Sequence, residues 1–240
     1  MLTADFSYLD LAALSYFVAA WAGYGIAVAR MRGRRTSLSQ IMNAQRAEWT
    51  RQLIGRDNRV VDTTINASLQ NGTAFFASTS LIALGGVLTL SRSGDDVLTL
   101  FGTLPFGAIA TRLTWEIKVA GLAVVFVYAF FKFSWAYRLF NYGAILLGAV
   151  PPKGSDATPE QMLRAARKAA AMNIAAGSHF ARGQRAFFFA LAYLGWFVSP
   201  WLLMLTTTAV VLVMWRRQFA SRIRAALLAE DDGTGQGWQP

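Results

Sequence analysis

Ten polar residues gather where basic stretches of this chain meet apolar ones: Arg46, Glu48, Arg56, Arg59, Asp62, Arg138, Asn141, His179, Arg182 and Arg185, with Arg217 in a later basic stretch. A guanidinium stays charged at any physiological pH and pairs with phosphates or carboxylates through two parallel N–H bonds. The set therefore reads as an edge for anionic lipid or partner contacts. The plainer reading is internal pairing, with Arg46 or Arg59 on Asp62 and the remainder against headgroups, and it is the one favoured. His179 is the only histidine. It has general-base chemistry beside Arg182, but no carboxylate adjoins it in sequence, so it reads as an interface residue. No catalytic residue is assigned.

Composition removes several classes of chemistry. There is no cysteine, which excludes disulfides, thiolate catalysis and Cys-held zinc or iron–sulfur centres. One histidine excludes a multi-histidine metal site within a subunit. No P-loop, dinucleotide-binding glycine pattern, serine elbow or zincin motif occurs. No cofactor and no metal are expected. The net charge of +10 resides mainly in arginines flanking apolar runs, the pattern left by cytoplasmic loops that orient membrane helices. No soluble segment offers a basic-and-aromatic platform, so no nucleic acid is expected. The expected partners are the bilayer, anionic phospholipid headgroups, and a membrane-protein partner or a second copy.

The elements that must position these residues are membrane helices. The chain is 55% hydrophobic and 15% charged, against roughly a quarter charged in soluble domains. The fold expected is an all-α, polytopic helix bundle forming one membrane domain over 1–240. Span 1 covers 9–29; the acidic N-terminal stretch lacks the basic start of a signal peptide, although Ala20-Trp21-Ala22 resembles a cleavage site. A basic cytoplasmic segment, 30–71, contains an amphipathic helix that starts near Ser37 or Ser39 and stops at Gly55. It is expected along the headgroups, with Trp49 as anchor. Span 2 covers 72–90, and its Ser/Thr/Asn-rich approach reads as a packing face or, less favoured, a polar transport lining. A nearly neutral outer segment, 91–114, leads to span 3, 115–135. Lys118 and Lys132 snorkel from its two ends.

The second basic segment, 136–177, carries the turn "VPPKGSD" and a helix capped by Thr158, Pro159 and Gln161. The run between Arg185 and Arg216 is free of charge. As one straight helix it would extend about 45 Å, too long for a hydrocarbon core of about 30 Å without steep tilt. Ser199-Pro200 sits at its middle, where proline breaks a helix. Two crossings also put "RRQFASRIR" inside, as the orientation rule requires. The reading is five spans, with 178–198 and 201–217 as a hairpin at Ser199-Pro200 and a cytoplasmic tail over 218–240. Four spans, with one kinked crossing, is the alternative. The N-terminus is expected outside and the C-terminus in the cytoplasm.

The stretches "QRAEWTRQLIGRDNRVVD", "GTAFFASTS", "WEIKVAGLAVVFVYAFFKFSWAYRLFNYGAILLGA" and "SHFARGQRAFFFALAYLGWFVSPWL" resemble a family of bacterial membrane proteins, domain of unknown function 599. The resemblance covers most of the chain. Where the family favours Tyr-Tyr-Phe after Gly-x-Arg-Ala, this chain has "GQRAFFF", and Gln218 replaces a favoured acid. The resemblance implies a multi-pass bacterial inner-membrane protein and supplies no activity or catalytic residues.

Three functions remain open: a non-enzymatic accessory or scaffold subunit with a basic cytoplasmic face, which is favoured; a transporter or lipid-handling protein binding a phosphate-bearing ligand at the arginine edge; and an enzyme acting on a phospholipid through Glu48, Asp62 or His179.

Overall fold

Short hydroxyl side chains open the helices, because each supplies an acceptor for an otherwise orphaned backbone N–H. Ser7 Oγ accepts from Leu9 N at 3.2 Å and Thr111 Oγ1 from Thr114 N at 3.3 Å. Ser37 with Gln40, and Thr158 with Gln161, form reciprocal capping boxes. The computed structural model describes residues 6–31, 37–92, 111–220 and 227. Every regular element among them is helical: α1 (Tyr8–Arg30), α2 (Leu38–Gln52), a 3-10 turn (Leu53–Gly55), α3 (Val60–Arg92), α4 (Arg112–Gly148), α5 (Pro159–Tyr193), α6 (Gly195–Val198) and α7 (Pro200–Phe219). Most of the outer segment and of the tail, and "RGRRT" at 32–36, lie outside the described residues.

Among the described residues, three helices are long and apolar enough to cross a membrane: Tyr8–Arg30, Val60–Ser91 and Arg112–Gly148. The helices outrun the spans read from the sequence. α3 begins at Val60, α4 continues past Trp135 to Gly148, and α5 joins the basic helix to the following apolar stretch without a break.

The chain divides into two compact units, 45–191 and 1–44 with 192–240. In the first, α3 and α4 run antiparallel. Trp115 Nε1 donates to Leu90 O at 3.3 Å, Phe76 stacks on Phe133 at 5.3 Å, and Asn66 Nδ2 reaches Phe140 O at 3.4 Å. α5 runs antiparallel to α4, through Phe180 on Phe133 (5.5 Å) and Phe187 on Phe126 (5.6 Å). Gly183 is required for this approach, since a Cβ there would lie 2.7 Å from the Phe133 ring. The buried hydroxyls of Thr73 and Ser80 on α3 bond their own helix at Leu69 O and Phe76 O. Small and internally satisfied, they suit close helix packing.

At the other end of this unit Leu53, Leu147, Val150 and Ala169 are buried together, with Trp49 packed on them. Trp49, expected as a headgroup anchor, is half-buried here and spends its indole N–H on Asp62. Of the apolar stripe of α2, Ile41 is buried and Trp49 is packed on protein, while Met42 is 41% exposed. The turn joining α4 to α5 needs Gly154, whose φ of 82° is in the left-handed region.

In the second unit α1 and α7 run parallel. Asp10 Oδ1 accepts from Trp196 Nε1 at 2.8 Å just before α7 begins; Tyr16 OH meets Thr208 Oγ1 at 2.7 Å; Tyr24 lies against Trp215 at 6.5 Å. Helix is interrupted at Ser199, which is extended (φ −161°, ψ 155°), and Pro200 takes the first position of α7. Thr206 Oγ1 then donates to Ala192 O at 2.8 Å. In a straight helix those residues would stand about 21 Å apart, so the chain reverses here.

Candidate functional site

The arginine edge is assembled where α2, α3, α4 and α5 meet within the unit 45–191. Asp62, in the first turn of α3, is 1% exposed. One carboxylate oxygen accepts from Trp49 Nε1 at 2.6 Å and pairs with Arg56; the other is buried without a partner. Burying a carboxylate demands such donors. The ion-pair expectation is therefore corrected in its partner: Arg56, four residues before α3 begins and extended after the 3-10 turn, is the arginine that reaches Asp62.

Arg59 serves a different acceptor. Its guanidinium forks onto two backbone carbonyls beyond the end of α4, those of Val150 and Pro151, the latter at 2.8 Å. Carbonyls past a helix C-terminus lack intrahelical donors, and the five N–H groups of arginine suit a fork of this kind. Arg46 presses against the backbone of α5, its guanidinium 2.8–2.9 Å from where a Gly177 Cβ would stand. Burial lowers its pKa from the usual arginine value.

Glu48 points away from these contacts. It pairs with Arg51 and accepts from Gln52 on its own helix. Those bonds hold its carboxyl at about 2, and the pair raises Arg51. α2 and the 3-10 turn after it thus tie to the unit through Arg46, Trp49 and Leu53, and leave Glu48 on the surface.

The remaining residues form a second group on facing turns of α4 and α5. Arg138 lies over the rings of Trp135 (5.6 Å) and Tyr142 (5.4 Å), and its Nε donates to Tyr142 OH at 2.7 Å. His179 packs against Trp135 with centroids 6.4 Å apart, and its Nδ1 is buried without a partner. Arg182 is exposed one turn along α5, Arg185 is half-buried one turn further, and Asn141 is half-buried on α4. Lys132, over Tyr128 at 5.0 Å, completes the group. Arg217 lies in the last turn of α7, in the other unit.

The aromatic partners Trp135, Tyr142 and Tyr128 were missed as site residues. Their spacing from Lys132 and Arg138, three or four positions along a helix, is the signal that finds them. Among the described residues no group of three or more His, Asp or Glu can hold a metal ion.

No curated protein and no solved structure matches the chain. The family model described as "Protein of unknown function, DUF599" matches residues 12–223. With a match over most of its length, the chain belongs to the DUF599 family.

Proposed function

We propose that this protein is a five-span bacterial inner-membrane scaffold, N-terminus outside and C-terminus in the cytoplasm, that presents a rigid basic collar to a membrane-protein partner or a second copy. The parallel pairing of α1 and α7 carries the topology. With five crossings both helices run inward and must be parallel. With one crossing over 178–217 they would run in opposite directions. The reversal at Ser199 and the positive charge in the last turn of α7 agree with the first arrangement.

The role as a scaffold is supported by how the charges are used. Asp62 is held by Trp49 and Arg56, Arg59 by two carbonyls, and Glu48 by Arg51. The contacts of Asp62 and Arg59 join separate elements, and the Glu48–Arg51 pair stays within α2; all of these charges are used in internal contacts. A lipid-handling reading is favoured by one observation alone, the cationic and aromatic group of Lys132, Trp135, Arg138, His179 and Arg182.

Purification of the tagged protein from its own membrane in mild detergent, followed by mass spectrometry, tests the role. A stoichiometric membrane partner or a defined homo-oligomer is the expected result. A monomer without partner, whose deletion alters the turnover of one lipid class, would replace the scaffold with lipid chemistry.

A further inference from the structure

The exposed strip along α4 and α5 changes character over a short distance. Toward the apolar end Phe131 is 65% exposed and Tyr128 partly so; one turn on stand Lys132 and Trp135, the latter 44% exposed, and then Arg138 and Tyr142. Facing them on α5 are His179 and Arg182. Contacts of Phe133 with Phe180 and of Phe126 with Phe187 set the antiparallel register. That register brings Lys132 and Arg182 to about one level on neighbouring helices, with His179 against Trp135 one turn away.

Like charges facing each other near an apolar layer repel more strongly than in water. Among the described residues no carboxylate pairs with Lys132, Arg138 or Arg182. Beside the strip, the buried His179 Nδ1 also lacks a hydrogen-bond partner. Arg138 is held in position by its two rings and Tyr142 OH, so little rotamer freedom is lost when it binds an anion.

We propose that this exposed strip along α4 and α5 binds the phosphate of an anionic phospholipid of the cytoplasmic leaflet, through Lys132, Arg138 and Arg182 arranged around Trp135 and His179. The aromatic strip through Phe131 and Tyr128 receives an acyl chain, and the cations beyond it receive the headgroup. This polarity, apolar then cationic toward the cytoplasmic ends of the helices, is that of a lipid. A soluble phosphate would leave the aromatic half of the strip uncovered. The inference deepens the lipid-handling reading and rests on the membrane placement proposed above.

The test is native mass spectrometry of the detergent-solubilised full chain titrated with phosphatidylglycerol, with phosphatidylcholine as comparator. The double variant Lys132→Gln/Arg182→Gln is expected to lose about tenfold in phosphatidylglycerol affinity, since two charge-assisted bonds go. Arg164→Gln/Arg167→Gln removes the same charge from exposed positions on α5 and is expected to change it less than about twofold. Equal losses in the two variants would reduce the effect to general surface charge and overturn the site. Displacement of phosphatidylglycerol by millimolar inorganic phosphate would overturn the lipid as source.

Photo-crosslinking of the wild-type protein with an anionic diazirine lipid avoids any folding defect of the variants. Labelling of peptides around 128–142 and 179–185 supports the site; labelling confined to other helices rejects it. A failure here with the inward-facing collar still established by labelling of engineered cysteines would remove the lipid site and leave the topology standing.

Discussion

The indole N–H of Trp49 donates to the Asp62 carboxylate at 2.6 Å, across a chain turn that lets Arg56 reach the same oxygen. This bond joins α2 to the start of α3 at a carboxylate that water does not reach. Asp62→Ala is expected to lower stability in detergent by about 2 kcal/mol, because the Trp49 donor and the Arg56 charge both lose their acceptor. Amide exchange over 45–55 should accelerate more than exchange over α4. Wild-type exchange in that segment would contradict the assignment.

Glu48, only four residues before Gln52 and on the same helix, should behave differently. Its carboxyl is held at about 2 by Arg51 and Gln52. The sign follows from the depressed value: its contribution is present above the ordinary carboxylate range and is lost as pH falls toward about 2. Being an exposed pair, its effect is small. Glu48→Gln should leave thermal stability nearly unchanged at neutral pH, and whatever difference exists should close on acidification. A large neutral-pH loss, measured by thermal unfolding, would place Glu48 in a contact it does not make here.

Two glycines of α5 make similar close approaches with different consequences. A Cβ at Gly183 would meet the fully buried Phe133 ring, whereas one at Gly177 would meet the end of the Arg46 side chain. Gly183→Ala is expected to cost about 1–3 kcal/mol through overpacking. Gly177→Ala should be near neutral, since the guanidinium can swing aside and alanine gains roughly 1 kcal/mol in helix propensity. Thermal unfolding of the two variants in one detergent makes the comparison.

Arg59 tests whether a guanidinium is needed or only a charge. Arg59→Lys keeps the cation but cannot fork onto the Val150 and Pro151 carbonyls. A loss of about 1–2 kcal/mol is expected, with faster exchange near 150–155. If lysine serves as well as arginine, the fork contributes nothing.

Much of the helical framework was legible in the sequence, because its signals are local. Thr158 with Gln161, Ser37, and Ser199 before Pro200 are caps and breakers read within four residues, and each stands at a helix start. What escaped was decided by contacts distant in sequence. The amphipathic stripe of α2 announces an apolar face, yet whether that face meets headgroups or protein depends on Leu147, Val150 and Ala169. The partner of Asp62 was misassigned between arginines because a three-residue turn, not spacing along one helix, selects Arg56. The role of Arg59 was hidden because its acceptors are backbone atoms, which leave no trace in residue type.

The central claim is that α1 and α7 cross in the same direction, placing the arginine edge inside. The chain has no cysteine, so single cysteines can be introduced at Tyr8, Lys153, Val198 and Ala220 without a background. Labelling intact cells with a membrane-impermeant maleimide tests the claim most directly. Labelling at Tyr8 and Val198, with protection at Lys153 and Ala220 until the membrane is opened, is the predicted result. Labelling of Ala220 from outside, with Val198 protected, would mean that 178–217 cross once and would contradict it.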